Sequence, residues 1–286
     1  MNTQKFDVIV IGGGASGLFL ASQLPPSMRV AVVESNERVG KKLLATGNGK
    51  CNLTNLDMNI VHYNKPSFVE SFLDRFDAHD TIATFEKMGL VTKVIDKRVY
   101  PYSECASTVL DVLRKALERN ATQVFTSHFV NSVESFNDAF TVSGIVKVEG
   151  KPNQSFAYDS DVVVLATGSP ATFGKDSTAL YVALGHHARA MTPSLVPIKT
   201  NKEPLKNLQG VRVKAGVRIG YRYETGEVLF KDFGVSGIAA FNLSSEIARG
   251  RAKIGDMLTI DFMPEYSKAE VEDILTKRNN NGTVAE

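Results

Sequence analysis

The sequence predicts an α/β protein with a Rossmann-like nucleotide-binding domain and a smaller, mainly β domain. Three observations predict the first domain. Asp7-Val-Ile-Val-Ile11 is a short β-branched run, a glycine-rich turn and a helical segment follow it, and a second β-branched run ends at Glu34. This order is a strand–turn–helix–strand unit of about 30 residues, and such a unit implies a parallel sheet.

Composition narrows the class of protein. The chain has 286 residues, of which 43% are apolar and 22% are charged, enough to bury a full core. Lys and Arg total 33 and Asp and Glu total 31, so the formal net charge is only +2. This balance argues against a general nucleic-acid or membrane-surface binder. We therefore expect a small-molecule substrate, no nucleic-acid partner and no membrane partner, and the oligomeric state stays open.

The N-terminal segment favours a cytoplasmic protein. The run 6–21 is largely apolar, but Gly12, Gly13 and Gly14 would interrupt a signal helix. A bilayer span needs about 20 apolar residues, and no such stretch occurs. Two cysteines, Cys51 and Cys105, are too few for a disulfide scaffold. The five histidines show no metal-ligand spacing, so no metal site is predicted.

The first domain is predicted to cover residues 1–190. After the opening unit, residues 37–55 are polar and glycine-rich and predict a long ordered loop. Residues 103–120 predict a helix with Ser103 as its N-cap, because apolar residues recur at helical spacing. Further helices are predicted over 15–24, 66–76 and 80–88, and strands over 7–11, 29–34, 93–101, 123–125, 129–135, 140–148 and 161–166.

The second domain is predicted to cover residues 191–286. Short strand-like segments separated by turns dominate it, and their pattern indicates a mainly β cap or substrate domain. Strands are predicted over 194–199, 208–220, 227–230 and 257–262, and helices over 237–249 and 267–277.

The glycine-rich turn carries the strongest local signal. Gly12, Gly14 and Gly17 form a GxGxxG pattern between a strand and a helix, which is the context that a dinucleotide fingerprint requires. A glycine at 14 lets the backbone approach a pyrophosphate. Ala15 and Ser16 open the helix, whose unpaired N–H groups and partial positive charge attract anions. A glycine-rich turn without a ligand is the less favoured reading.

Glu34 ends the second strand and can accept hydrogen bonds from ribose hydroxyls. A carboxylate there disfavours a 2′-phosphate, so we expect an adenosine without one. The fingerprint alone does not choose between NAD and FAD. A short-chain dehydrogenase would need Lys four residues after a Tyr, and none of the eight tyrosines meets this condition. An NAD-binding Rossmann enzyme without flavin remains an alternative.

Two further segments favour FAD. One is the loop from Gly40 to Asn55, and the other is a strand that runs into Ala166-Thr167-Gly168. With these segments the chain resembles the BaiN-type, or aminoacetone-oxidase-like, NAD(P)/FAD-dependent oxidoreductases. The loop is close to that family's G-R-K-x-x-x-S-G-G-G-R-C-N-x-T-N motif. Further matches extend the resemblance from about Lys5 to Pro264, among them the segments 98–101, 103–107, 184–186, 195–197, 208–211 and 226–237.

The resemblance implies a two-dinucleotide-binding flavoprotein that holds FAD as its cofactor. The glycine turn would hold the pyrophosphate, and NAD(P)H would be a transient electron donor. The residues implied close to FAD are Lys42, Asn48, Cys51, Asn52, Val130, Ala166, Thr167 and Gly168. For Cys51 a packing or flavin-adjacent thiol is favoured over a redox nucleophile. No catalytic acid or base is assigned.

The resemblance also implies a late segment that returns to the FAD domain, and residues up to Glu286 do not contain its G-G-Y-N-like turn. The favoured function is an FAD-dependent oxidoreductase that passes hydride or electrons through the flavin. A catalytically impaired nucleotide-binding protein is the alternative that the short C-terminus motivates.

Overall fold

The computed structural model describes residues 3–171, 177–253 and 255–279. The chain divides into two compact units, Met1–Arg189 and Ala190–Glu286.

A six-stranded sheet forms the centre of the first unit. Its strands are β1 (Gln4–Ile11), β2 (Val30–Val33), β6 (Gln123–Phe125), β7 (His128–Phe136), β8 (Ala139–Val146) and β9 (Gln154–Leu165). Their order is β6-β2-β1-β9-β8-β7. The strands β6, β2, β1 and β9 are parallel, whereas β7, β8 and β9 pair antiparallel. The predicted Rossmann-like α/β class is confirmed, although the sheet is mixed rather than wholly parallel.

Two helices pack against one face of this sheet. They are α1 (Ala15–Gln23) and α4 (Ala106–Arg119). Leu18 of α1 and Leu113 of α4 share a core with Val10 and Val32. The other face of the central strands has its own core, in which Ile9 and Val33 meet Val133 and Val142 of the antiparallel strands. Burial on both faces explains why β1 and β2 are continuous apolar runs rather than alternating ones.

The remaining elements of the first unit are short. They are a three-stranded antiparallel sheet of β3 (Thr54–Asn55), β4 (Thr92–Ile95) and β5 (Arg98–Pro101), the helices α2 (Pro66–Leu73), α3 (Ala78–Lys87) and α5 (Thr178–Ala183), and 3-10 turns at Leu43–Gly49 and Ile60–His62. The predicted loop 37–55 therefore contains tight helical turns and a short strand, and α5 was not predicted.

The predicted N-cap of α4 is wrong. The helix begins at Ala106, and Cys105 rather than Ser103 is the N-cap. Glu104 has φ of 50°, in the left-handed region, so the chain cannot enter the helix before Cys105. The Ser103 hydroxyl instead accepts a hydrogen bond from the Cys105 N–H at 3.3 Å and pairs with the Thr108 hydroxyl at 2.8 Å.

Strand β9 is longer and less buried than predicted. It begins at Gln154 rather than at residue 161, because its first half pairs with β8 as far as Ser160. The second half pairs with β1 through Leu165, and Val162 there is 48% exposed. The apolar run 161–166 therefore corresponds to the part of β9 that pairs with β1, but this part is not buried on both faces.

The second unit contains a five-stranded antiparallel sheet. Its strands are β10 (Ile198–Lys199), β11 (Arg212–Ile219), β12 (Arg222–Lys231), β13 (Gly234–Ser236) and β14 (Leu258–Asp261), in the order β10-β13-β12-β11-β14. The helix α6 (Ile238–Ala248) contributes Ala239, Ala240 and Leu243 to a core with Val217 and Val228. The helix α7 (Lys268–Asn279) follows, and a 3-10 turn lies at Glu203–Leu205. Strand β13 was not predicted.

Within the part of the chain that the structure describes, no helix has the length and apolar character needed to cross a membrane.

Candidate functional site: a cavity at the glycine turn

A cavity of about 570 Å³ opens where β1, β2 and β9 end. This volume is in the range of small-molecule and cofactor sites. The carboxyl ends of parallel strands meet at this edge of the sheet. From β1 the chain continues to β2 on one side, whereas β9 lies on the other side. Such a switch point is where open α/β sheets bind ligands.

Two glycines of the fingerprint are required by the protein itself. Gly12 has φ of 115°, and a Cβ there would lie 2.3 Å from the Ala166 carbonyl oxygen. A Cβ on Gly17 would lie 2.0 Å from the Gly12 carbonyl oxygen. Both distances are far below contact distance, so the turn can pack against β9 and α1 only without these side chains. Gly17 supports the turn and does not line the cavity.

Gly14 differs from these two glycines, because it lines the cavity. Its backbone is extended (φ −84°, ψ −171°), and a Cβ there would meet no atom within 4 Å. It is the N-cap of α1, which has no side-chain cap and no acidic residue in its first turn. Ala15 and Ser16 also line the cavity. The positive N-terminal end of α1 therefore borders the cavity, and the missing side chain at Gly14 lets an anion come close to it.

Glu34 holds the glycine turn in place. Its side chain is buried, and Oε2 accepts a hydrogen bond from the Gly13 N–H at 2.8 Å. The other oxygen, Oε1, accepts from the Asn36 N–H at 2.7 Å. Carboxylate oxygens have further lone pairs, so Glu34 can still accept from a ligand hydroxyl. Glu34 also lines the cavity, so the same side chain that holds the glycine turn can contact a ligand.

The Ala166-Thr167-Gly168 turn, which follows β9, also lines the cavity. The Lys42 ammonium donates to the carbonyl of Ser169 and lies 3.8 Å from where a Cβ of Gly168 would be. The Thr167 hydroxyl lies 2.8 Å from the Tyr181 hydroxyl. The cavity lining therefore includes the Lys42 ammonium and the Thr167 hydroxyl, and both groups can donate to phosphate oxygens.

Val130 lines the cavity from the antiparallel part of the sheet. It pairs with Gly144, and the register between β7 and β8 shifts directly after it, between Val130 and Ser132. A bulge of this kind interrupts the ladder and leaves backbone groups without a strand partner. Phe129 and Asn131 line the cavity beside it. An apolar side chain next to irregular backbone suits a planar ring with polar edges.

Three residues predicted near the cofactor do not line this cavity. Asn48 lies in the 3-10 segment of the loop with φ of 56°. The Asn52 amide nitrogen, in the orientation that satisfies its hydrogen bonds, donates to the carbonyls of Thr54 (2.9 Å) and Val99 (3.1 Å). Cys51 is buried in the core beneath α1 and α4, and burial raises the pKa of its thiol. Their contact with a cofactor stays a prediction.

Several cavity residues were missed from the sequence. Four of them, Gly13, Lys41, Leu43 and Thr46, lie in the glycine turn or the loop motif but were not singled out. The others belong to no motif: Ile11, Val33, Ser35, Asn36, His128, Phe129, Asn131, Ser169, Ser177, Ala179 and Leu180. Ser35 and Asn36 directly follow Glu34, so the end of β2 was the signal that could have found them. Among the described residues, no group of three or more His, Cys, Asp or Glu could hold a metal ion.

Comparison with known proteins gives one family match. The model for the HI0933-like protein Rossmann domain matches residues 6–239. A 3-dehydro-bile acid delta(4,6)-reductase of Clostridium scindens is 33% identical over 277 residues, which are 92% of this chain and 66% of the relative. A ribosomal RNA dihydrouridine synthase of Haemophilus influenzae is 26% identical over 278 residues, 94% of this chain and 67% of the relative. The chain thus spans about two-thirds of these relatives.

Similar solved structures are more distant. One is THI4 of Thermovibrio ammonificans, with a TM-score of 0.40 and 16% identity over 82% of this chain and 78% of that one. Another is L-proline dehydrogenase of P. horikoshii, with a TM-score of 0.33 and 18% identity over 59% of this chain and 24% of that one. With such TM-scores, neither similarity bears on cofactor or activity.

Proposed function

The chain belongs to the HI0933-like Rossmann-domain family, and from this premise and the cavity geometry we propose that it is an FAD-dependent oxidoreductase. The observation that carries the proposal is the cavity beside Gly14. The uncapped N-terminus of α1, the Glu34 carboxylate and the Ala166–Gly168 turn all line it. In an adenine dinucleotide, the α1 N-terminus matches the pyrophosphate and the Glu34 carboxylate matches a ribose. The Ala166–Gly168 turn matches the part of the cofactor that lies beside them.

The residues fit FAD at each of these positions. Gly14 leaves the space that a Cβ would fill, so a pyrophosphate can approach the N–H groups of Ala15 and Ser16. Glu34 lies one strand away, where it can accept from ribose hydroxyls. Val130 lines the same cavity, and we propose that the adenine ring packs beside it. The proposed FAD contacts are therefore Gly12, Gly14, Ala15, Ser16, Glu34, Lys42, Val130, Ala166, Thr167 and Gly168.

The chemistry that FAD supplies when bound is acceptance of a hydride from a donor and release of its electrons to an acceptor. The chain's own residues bind and orient the cofactor. The α1 N-terminus and Lys42 balance phosphate charge, and the anchored Glu34 fixes the ribose. We propose reduced nicotinamide as the transient donor.

The substrate class rests on the relatives' names. One relative is named a bile acid delta(4,6)-reductase, and another is named a ribosomal RNA dihydrouridine synthase. Both names denote saturation of a carbon–carbon double bond next to a carbonyl group. We propose such a bond in a small organic molecule as the acceptor here. The near-balanced charge of the chain favours a small molecule over RNA.

Two measurements on the purified chain test the proposal. We expect it to carry or take up FAD, seen as a yellow flavin absorbance band. We then expect oxidation of NADH or NADPH with oxygen, a dye or an unsaturated ketone as acceptor. A colourless protein that does not take up added FAD would contradict the cofactor. FAD binding without turnover on any acceptor would instead favour a nucleotide-binding protein without activity.

A further inference from the structure

Aromatic side chains surround His128, the first residue of β7. Its ring centroid lies 4.8 Å from that of Phe156 and 5.4 Å from that of Phe125. The Tyr158 ring lies 6.1 Å away and is tilted from the His128 ring by only 19°. These three neighbours come from β6 and β9, and they pack against the core on that face of the sheet. The fold of the sheet therefore determines where the His128 ring lies.

The backbone of His128 is joined to the end of β2. Its N–H donates to the Glu34 carbonyl at 2.9 Å, and the N–H of Ser127 donates to the Asn36 carbonyl at 2.8 Å. His128 and Val130 are two residues apart in β7 and precede its register shift, so their side chains lie on the same face of the strand. Both residues line the cavity. The His128 ring therefore lies close to the proposed ribose contact of Glu34 and on the side of the proposed adenine contact.

Both nitrogens of the His128 ring have partners within the protein. Nδ1 lies 2.7 Å from the Thr126 carbonyl oxygen, which can only accept, so Nδ1 carries a hydrogen and donates. Nε2 lies 3.2 Å from the Tyr158 hydroxyl. Burial raises the pKa of that hydroxyl, so it keeps its hydrogen and can donate to Nε2. The ring therefore offers a ligand in the cavity a flat surface rather than a polar nitrogen.

We propose that the His128 ring is the surface on which the adenine of the nucleotide stacks. This inference deepens the proposed FAD function, on which it rests, by naming the side chain that binds the adenine ring. Aromatic side chains bind bases through their flat faces, and such stacking needs no hydrogen bond from the ring. The bonds to Thr126 and Tyr158 fix the orientation of the ring before the ligand arrives, so that little conformational entropy is lost on binding.

Two matched variants of the full chain, His128→Leu and His128→Phe, test the contact by calorimetric titration with ADP. Both variants lose the hydrogen bonds to Thr126 and Tyr158, so they differ mainly in whether a flat aromatic ring is present. His128→Leu should bind ADP about fivefold more weakly than His128→Phe, and FAD affinity should differ by the same factor, because both ligands contain adenine. His79→Ala, which removes an exposed histidine from α3, should leave both affinities unchanged.

The fluorescent analogue etheno-ADP reports stacking directly, because an aromatic ring stacked on its base quenches the fluorescence. At saturation the probe should be quenched by the wild type and by His128→Phe, and less by His128→Leu. Equal ADP affinity in the two variants, equal quenching by them, or no ADP binding by the wild type would overturn the proposal. ADP binding that follows the expected pattern without any FAD binding would support the adenine contact and contradict the flavin cofactor, so the two failures are distinguishable.

Discussion

At the scale of single residues, Glu34 joins the glycine turn to the end of β2. Glu34→Gln should destabilise the protein by about 1 to 3 kcal/mol even without FAD. The reason is that one carboxylate oxygen accepts from Gly13 and the other from Asn36, whereas an amide offers only one acceptor. Urea unfolding measures the change, with exposed Glu37→Gln as the matched control. A loss no larger than that of the control would show that these hydrogen bonds contribute little.

The two cysteines should differ in reactivity. Cys105 is exposed, and its hydrogen bond with the Ser107 hydroxyl lowers the pKa of its thiol. Cys51 is buried, and burial raises the pKa of its thiol. Because thiolates react with alkylating and disulfide reagents, Cys105 should be labelled first and Cys51 only after unfolding. Cys105→Ser should abolish the fast phase of labelling. A fast phase that survives in this variant would place Cys51 in an accessible site.

At the scale of elements, Glu104 ties the loop before β3 to strand β4. Its carboxylate lies 2.5 Å from the ammonium of Lys50 and 2.5 Å from that of Lys93. The hydrogen bonds with Lys50 and then Lys93 lower the pKa of Glu104 from 4.5 to about 2. A carboxylate whose pKa is lowered in the folded state stabilises the protein at any pH above the pKa that it has in the unfolded chain. That contribution is present above pH 4.5 and is lost as the pH falls towards 2.

Glu104→Gln should therefore lose stability at neutral pH and show a smaller further loss on acidification than the wild type. Melting temperatures between pH 6 and pH 3 measure this difference. The matched control is Glu86→Gln, which removes an exposed carboxylate from α3. An unchanged acid slope in Glu104→Gln would mean that the two lysine contacts do not persist in solution.

The elements that the sequence predicted well are those with a strong pattern. The β-branched runs of β1 and β2 and the helical spacing of α4 identify their elements, because each buries a continuous apolar face. The elements missed were short: α5 has six residues and β13 has three. Elements of this length contain too few residues to show a hydrophobic periodicity. They depend on tertiary pairing instead, such as the pairing of Val235 with Ile198 and Phe230.

The candidate site divides in the same way. The glycine turn and Glu34 were predictable, because strand, turn, helix and acid lie within one unit of consecutive residues. The contact between Lys42 and Ser169 joins positions 127 residues apart, so no local pattern contains it. Cys51 and Asn52 belong to a motif that the resemblance identifies, yet one packs in the core and the other holds β5 through the Val99 carbonyl.

At the scale of the whole molecule, family membership confirms the resemblance found in the sequence. The cavity residues come from segments between Ile11 and Leu180, all in the first unit.

The central claim is that FAD lies against the glycine turn, and FAD titration of wild type and Gly14→Val tests it most directly. A Cβ at position 14 would meet no protein atom within 4 Å, and the backbone there is extended, so the melting temperature of Gly14→Val without FAD should stay close to that of the wild type. Gly17→Val, with its Cβ 2.0 Å from the Gly12 oxygen, should instead destabilise the fold. We predict that wild type binds FAD and that Gly14→Val binds at least about a hundredfold more weakly. Equal FAD affinity in wild type and Gly14→Val would contradict the claim.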